Sequence, residues 1–290
     1  MEDPDQTHQD PKLEKFIANY LRCVEHPDES AIHDVRVSAR RILASLDVIH
    51  NCEMTRYETK AVKRLKKLLK KLNPIRDAQV IALNASQAGN PAMDIPEFQA
   101  YLQARAEKKT KMASSIFKKN RSPEEFLKPF RALPKITSTP LEEPATALFA
   151  GVDTAYAKYL AKYQKINAEH PETIHKFRVA FKKFRYTMEL ASPRNAIPNV
   201  IPPKIFEDLH HMQTLLGDVQ DADVMFRHYQ HWYAKRQKRL NHSAPSPEVF
   251  RLDMQTKISS FLLAAPSVEN YWRSNPQAPF PWDLAKKQKN

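Results

Sequence analysis

One helical motif is written twice along this chain, and a chain that repeats a unit in this way is expected to fold as two related halves. The first copy begins His33-Asp34-Val35-Arg36-Val37-Ser38-Ala39-Arg40-Arg41, and the second His175-Lys176-Phe177-Arg178-Val179-Ala180-Phe181-Lys182-Lys183. Each is followed by a second block. The first reads Leu72-Asn73-Pro74-Ile75-Arg76-Asp77-Ala78-Gln79-Val80, the other Leu216-Gly217-Asp218-Val219-Gln220-Asp221-Ala222-Asp223-Val224. The repeated element is cationic, so a surface shared by the two halves is expected to bind a polyanion.

Nearly every long segment carries helical periodicity, and no run of alternating β-branched residues occurs. The spacing predicts helices over 11–25, 30–51, 55–73, 75–88, 95–120 and 123–131, then 145–168, 172–191, 203–216, 219–240 and 247–264. The prediction is an all-α chain of two helical bundles related by an internal pseudo-twofold axis. Residues 1–131 form the first half and 146–264 the second, with 132–145 as a linker. Residues 265–290 read as an extended or loosely docked tail, with Trp272 and Trp282 as candidate anchors.

The 42% of hydrophobic residues can fill a core, and the 3 glycines argue against Gly-rich phosphate loops. The 22 prolines cluster between periodic segments, where linkers and helix stops need them. A formal charge of +13 favours anionic partners without choosing among nucleic acid, polyphosphate and anionic membrane surfaces. Cys23 and Cys52, the only cysteines, make no disulfide framework and no CxxC pair, which fits a reducing, cytoplasmic compartment. The first residues are acidic and lack an apolar run, so no secretory signal is expected, and no apolar stretch is long enough to span a membrane.

Positions i, i+3, i+4 and i+7 share a helix face. His33, Arg36 and Arg40 therefore fall on one stripe, and His175, Arg178, Lys182 and Arg185 on its counterpart. Beside them runs an apolar stripe: Val35, Ala39, Ile42, Leu46 and Ile49 in one copy, Phe177, Phe181, Phe184 and Met188 in the other. Docking of the apolar stripe would hold the cations at the core edge. Arg41 and Lys183 extend the positive surface to one side. A single such helix is usually an ordinary solvated face, but recurrence of the same residue classes at the same offsets argues for a site.

Lys60 to Leu72 forms a second basic helix, in which Leu65, Leu68, Leu69 and Leu72 make the apolar arc and Lys66, Lys67 and Lys70 stand outside it. Charges this dense repel, so a bound anion would stabilise the helix. A solvated face, a membrane-surface helix and a calmodulin-type target remain open for it. In the second copy His210-His211 align with Lys66-Lys67, so both halves place nitrogen side chains at the same offset. Asn73 and Gly217 suit a helix stop and Pro74 a restart. Asp77 and Asp221 are then read as caps or as partners orienting a neighbouring Arg. Arg76 is a candidate anion ligand, and Gln220 takes its place in the second copy.

Four patterns in order carry a family resemblance. They are His-x-x-Arg-Val-x-x-Arg-Arg, Leu-x-x-Leu-x-x-Ile-Arg-Asp-Ala-x-Val, His-x-x-Arg-Val-x-x-Lys-Lys-x-Arg-Tyr-x-x-Glu, and Leu-Leu-Gly-x-x-Gln-Asp-Ala-Asp-Val. Over 10–262 the chain resembles the CHAD family, the conserved histidine α-helical domain. The resemblance implies two four-helix bundles around a basic central channel that binds inorganic polyphosphate, with some members found at polyphosphate granules. It implicates His33, Arg36, Arg40, Arg41, Lys66, Lys67, Arg76, His175, Arg178, Lys182, Lys183, Arg185 and His210. Lys70 and His211, beside these, complete the candidate phosphate-binding set. The Glu-x-Glu-x-Lys signature of the CYTH-type triphosphate tunnel often joined to such domains is missing, so a stand-alone domain is expected. His210 and His211 depart from the family's usual lysine, and Asn73-Pro74 from its usual glycine.

A polyphosphate binder needs closely spaced cations and no base-stacking platform, and the basic stripes here are interleaved with Leu, Val and Ala. A nucleic-acid-binding module is the alternative; the charge suits it, but no reading motif is present. A metal-dependent phosphohydrolase is the third reading, because His33-Asp34 is similar to a metal dyad. The second copy has Lys176 instead of Asp34, and nearby cations would repel a metal. His33 and His175 are therefore expected to hydrogen-bond phosphate or to cap their helix starts. No catalysis, cofactor or metal is expected.

Overall fold

The structure is a computed structural model that describes residues 11–49, 56–87, 89–118, 122–132, 144–191, 201–236 and 244–287. Among them the chain is all-α, with no strand. The helices are α1 (Pro11–Glu25), α2 (Glu29–Ile49), α3 (Arg56–Asn84), α4 (Pro96–Lys118), α5 (Pro123–Arg131), α6 (Pro144–Tyr163), α7 (Pro171–Leu190), α8 (Pro203–Arg236), α9 (Glu248–Ala264) and α10 (Pro281–Lys287). A 3-10 turn, Ala265–Asn270, follows α9. Seven of these helices begin with proline, whose fixed φ suits the first helical turn and whose missing N–H is no loss there. Most of the expected linker 132–145 lies outside the described residues.

The chain divides into two compact units. The first comprises Met1–Ala82 and Tyr101–Pro144, the second Leu83–Ala100 and Ala145–Asn290. The end of α3 and the start of α4 thus belong with the second unit, not with the first half in which the sequence pattern placed them. The reason is aromatic packing. Phe98 is fully buried, its ring edge-on to Tyr229 at 4.9 Å and 5.3 Å from Trp232.

In the first unit the core is built from Leu13, Phe16 and Tyr20 of α1, Ile32, Val35, Ala39, Ile42 and Leu46 of α2, Leu65, Leu68, Leu72 and Ile75 of α3, and Phe126 and Phe130 of α5. In the second unit Tyr156 and Tyr159 of α6, Phe177, Phe181, Phe184 and Met188 of α7, Leu209, Met212, Leu216 and Val219 of α8, and Phe261 of α9 do the same. The burial pattern repeats in register. Ile32, Val35, Ala39, Ile42 and Leu46 are buried where Ile174, Phe177, Phe181, Phe184 and Met188 are, and Leu65, Leu68, Leu72 and Ile75 where Leu209, Met212, Leu216 and Val219 are. The expected apolar stripes are therefore the core stripes; the side chain of Ile49 lies outside the described residues.

Two expected helix breaks are absent. α3 runs through Pro74, and α8 runs through Gly217. A proline inside a helix costs about 3 kcal/mol and a glycine about 1 kcal/mol. Each is outweighed by the stripe it interrupts. Leu72, Ile75 and Ala78 stay buried across Pro74, and Leu216, Val219 and Ala222 across Gly217. Burying one such side chain fully is worth about 1.5–3 kcal/mol, and a break would take several out of register.

The segment after α9 is docked more firmly than the expected loose tail, with Trp272 as the expected anchor. Trp272 is 1% exposed and Val268 fully buried in the second core. The Tyr159 hydroxyl donates to the Val268 carbonyl at 2.5 Å, and Trp282 stacks on Phe280 at 4.8 Å.

Candidate anion-binding site

α2 packs its apolar stripe inward, and this leaves His33, Arg36 and Arg40 at the edge where α2 meets α3. Arg36 is 7% exposed. Its Nε donates to Asn73 Oδ1 at 3.1 Å, and its Nη2 lies 3.9 Å from an Asp77 carboxylate oxygen. Arg40 reaches the same Asn73 oxygen through Nη2 at 3.5 Å. Arg76 is half-buried and donates to Glu29 at 2.5 Å. Three guanidiniums thus converge on one face.

His33 reports their field. It is largely exposed, yet its imidazole is held below the ordinary range of 6.5, first by loss of hydration and then by the Arg76 guanidinium, with Arg36 and Arg40 adding to it and Asp34 opposing. The charges that disfavour the imidazolium are ones that a nearby anion would offset. His33 lies inside α2 and His175 inside α7, so neither caps a helix start. In α2 that part is taken by Asp28, whose carboxylate accepts from the Ala31 N–H at 2.7 Å.

The second unit places the corresponding positions together. His175 Nδ1 hydrogen-bonds Gln220 Oε1, the residue in the place of Arg76. A narrow crevice beside them is lined by Pro171, Ile174, His175, Arg178, Leu216, Val219, Gln220 and Asp223. Arg178 and Lys182 are half-buried along the same stripe. Arg185 continues it, but its Nη1 is bound to Glu189 and its guanidinium lies over the Tyr186 ring at 4.9 Å.

The remaining candidates divide by direction. Lys66 stands on the helical line of Asn73 and Asp77, and Lys70 lies close to that line; both are exposed. Lys67 is turned about 100° away from Lys66. His210 and His211 repeat this on α8, exposed, with His210 on the line of Gly217 and Asp221. Arg41 and Lys183 are exposed to the side of the main stripes. Asp77 and Asp221 sit mid-helix, so neither is a cap. Asp77 orients Arg36, and Asp221 accepts from Asn84 Nδ2 at 2.8 Å.

Asn73 is the residue that sequence reasoning missed, because its helix-stopping reputation hid its side chain. Arg64 is the opposite case, a cation of the basic helix with a structural task. It donates to the Glu125 and Phe126 carbonyls and lies 5.9 Å from the Phe126 ring, tying α3 to α5. Among the described residues no cluster of three or more His, Cys, Asp or Glu could hold a metal ion, and no helix is long and apolar enough to cross a membrane.

The model of the CHAD domain matches residues 10–230. The chain belongs to the CHAD family. A crystal structure of the CHAD domain from the plant Ricinus communis is similar to it, with a TM-score of 0.54 and 17% identity, over 89% of this chain and 85% of that one. At that identity the likeness shows a shared fold. No curated protein matches the chain at a significant level. The CHAD match covers α1 to most of α8, and so takes in both histidine helices and both blocks that pack against them.

Proposed function

We propose that this CHAD protein binds inorganic polyphosphate, without breaking it, through the cationic faces of α2–α3 in one unit and α7–α8 in the other. The observation that carries the reading is the convergence of Arg36 and Arg40 on Asn73, with Arg76 and His33 beside them on the same face. Arginine forks match phosphate oxygens, and lysines such as Lys66 and Lys70 add point charge along the chain's path. The Arg76–Glu29 pair is no obstacle. Glu29 is half exposed, and such ion pairs are worth about 0–1 kcal/mol, which a phosphate can replace.

A nucleic-acid partner fits less well. Binding single strands without sequence preference relies on aromatic rings that bases can stack on. Here Phe177, Phe181 and Phe184 are fully buried in the core. As a polyphosphate binder the protein would work in the cytoplasm, at polyphosphate granules where these form.

The test compares long-chain polyphosphate, orthophosphate and RNA at matched charge and salt, in the wild type and in Arg36→Ala/Arg178→Ala. Expected is tight, salt-dependent binding of polyphosphate, weak binding of orthophosphate, and a large loss in the folded double variant. Equal affinity in that variant overturns the reading, as does preference for RNA. Metal-dependent release of phosphate from the polymer would replace binding with hydrolysis.

A further inference from the structure

We propose that Asn73 is the positioning residue of the first-unit anion site, holding the guanidiniums of Arg36 and Arg40 side by side before any phosphate arrives. The inference rests on the polyphosphate reading and deepens it.

Two cations in one place repel, and an acceptor shared between them offsets that repulsion. Asn73 Oδ1 accepts from Arg36 Nε at 3.1 Å and lies 3.5 Å from Arg40 Nη2. Arginine offers donors only, so the atom facing both must be the amide oxygen and not the nitrogen. The acceptor is neutral, so it gathers the two cations without cancelling their charge. Arg36 uses Nε for this bond while its Nη2 lies 3.9 Å from an Asp77 carboxylate oxygen, so the fork is fixed from two sides. A phosphate arriving there finds the forks already oriented, and the side-chain entropy of arranging them has been spent in folding.

The backbone supports the same reading. Asparagine is a poor helix former, and Asn73 stands mid-helix directly before Pro74. Nothing in the stability of α3 recommends that residue; the acceptor does. At the corresponding position of α8 stands Gly217, which offers no side-chain amide. The amide clamp is therefore a feature of the first unit.

The test uses the full chain and Asn73→Ala. Alanine favours the helix while Arg36 Nε loses its acceptor, so the two effects oppose and the melting temperature should change little. The Arg36 Nε–H resonance, slow to exchange in the free wild-type protein, should exchange rapidly in the variant. Long-chain polyphosphate should bind about tenfold more weakly, corresponding to 1.4 kcal/mol. The slope of log K against log[salt] should stay unchanged, because no cation is lost. Arg40→Ala, by contrast, should lower that slope by about one. Wild-type affinity in folded Asn73→Ala overturns the positioning role while leaving polyphosphate binding intact. A wild-type protein that ignores polyphosphate, with the Arg36 resonance still Asn73-dependent, overturns the function and leaves the clamp as architecture.

Discussion

Trp272 donates its indole N–H to Asp153 at 2.6 Å, and this bond ties the end of the chain to α6. Arg273 closes on the same carboxylate with Nε at 2.9 Å and Nη2 at 2.7 Å. The Arg273 and Asp153 side chains are 16% and 13% exposed, so the pair is largely desolvated. Removing one partner of such a pair leaves a charge stranded, and Asp153→Ala should cost about 3 kcal/mol. Trp272→Ala should cost about 3–5 kcal/mol, since a fully packed ring is lost as well. Denaturant unfolding, read by circular dichroism, checks both. Polyphosphate affinity of the folded protein should not change in either variant.

Gly217 is in a helix without being needed there. A Cβ built on it meets nothing within 4 Å. Gly217→Ala should therefore stabilise the protein by about 1 kcal/mol through the lost freedom of the unfolded chain. Pro74 is the stronger case. Alanine there would restore an N–H donor for the Lys70 carbonyl, and Pro74→Ala should stabilise α3 by up to about 3 kcal/mol. Calorimetric melting of each variant reads the result. An unchanged melting point for both would mean that α3 and α8 contribute little to the unfolding transition.

Those two positions show where local signals misled. Proline and glycine carry fixed local costs, legible anywhere in a sequence, whereas the stripe that overrides them is only worth its value once it finds a core. The repeated stripes Val35 to Leu46 and Phe177 to Met188 were legible because helical period and burial coincide in them. Trp272 was legible as an anchor, but what it docks on was not. Its partner Asp153 lies 119 residues away, and no local pattern pairs them. The same holds for Phe98 against Tyr229 and Trp232. That Arg36 and Arg40 share a helix face was readable from spacing, but the Asn73 acceptor they meet was read as a helix stop.

Cys23 offers a simple probe of the first core. It is fully buried, and its thiol is pushed up to about 12, chiefly by burial and secondarily by Asp28, with Arg22 opposing. The thiolate is the reactive form, so the native protein should resist alkylation at Cys23 at pH 8. Labelling followed by peptide mass mapping should show modification of this residue only as the first unit unfolds. Rapid labelling under native conditions would mean that α1 opens readily from α2.

Binding should depend on pH through His33. In the free protein its imidazole titrates below 6.5, because lost hydration and the Arg76, Arg36 and Arg40 charges disfavour the cation more than Asp34 favours it. Glu29 and Asp77, on the elements around it, are engaged with Arg76 and Arg36. Unfolding frees the ring, so the unfolded chain holds more protons in this window. Stability should accordingly fall as pH drops from the ordinary imidazole value toward the depressed one, then level off. A bound polyanion reverses the local field and raises the imidazole's proton affinity, so binding takes up a proton. Polyphosphate affinity should therefore rise as pH falls from about 7.5 to 5.5, through the ordinary range of histidine. His33→Gln should flatten that part of the profile while leaving binding at high pH nearly unchanged. Titration calorimetry in buffers of different ionisation enthalpy counts the proton directly, and zero uptake at pH 6 in the wild type would remove His33 from the phosphate's path.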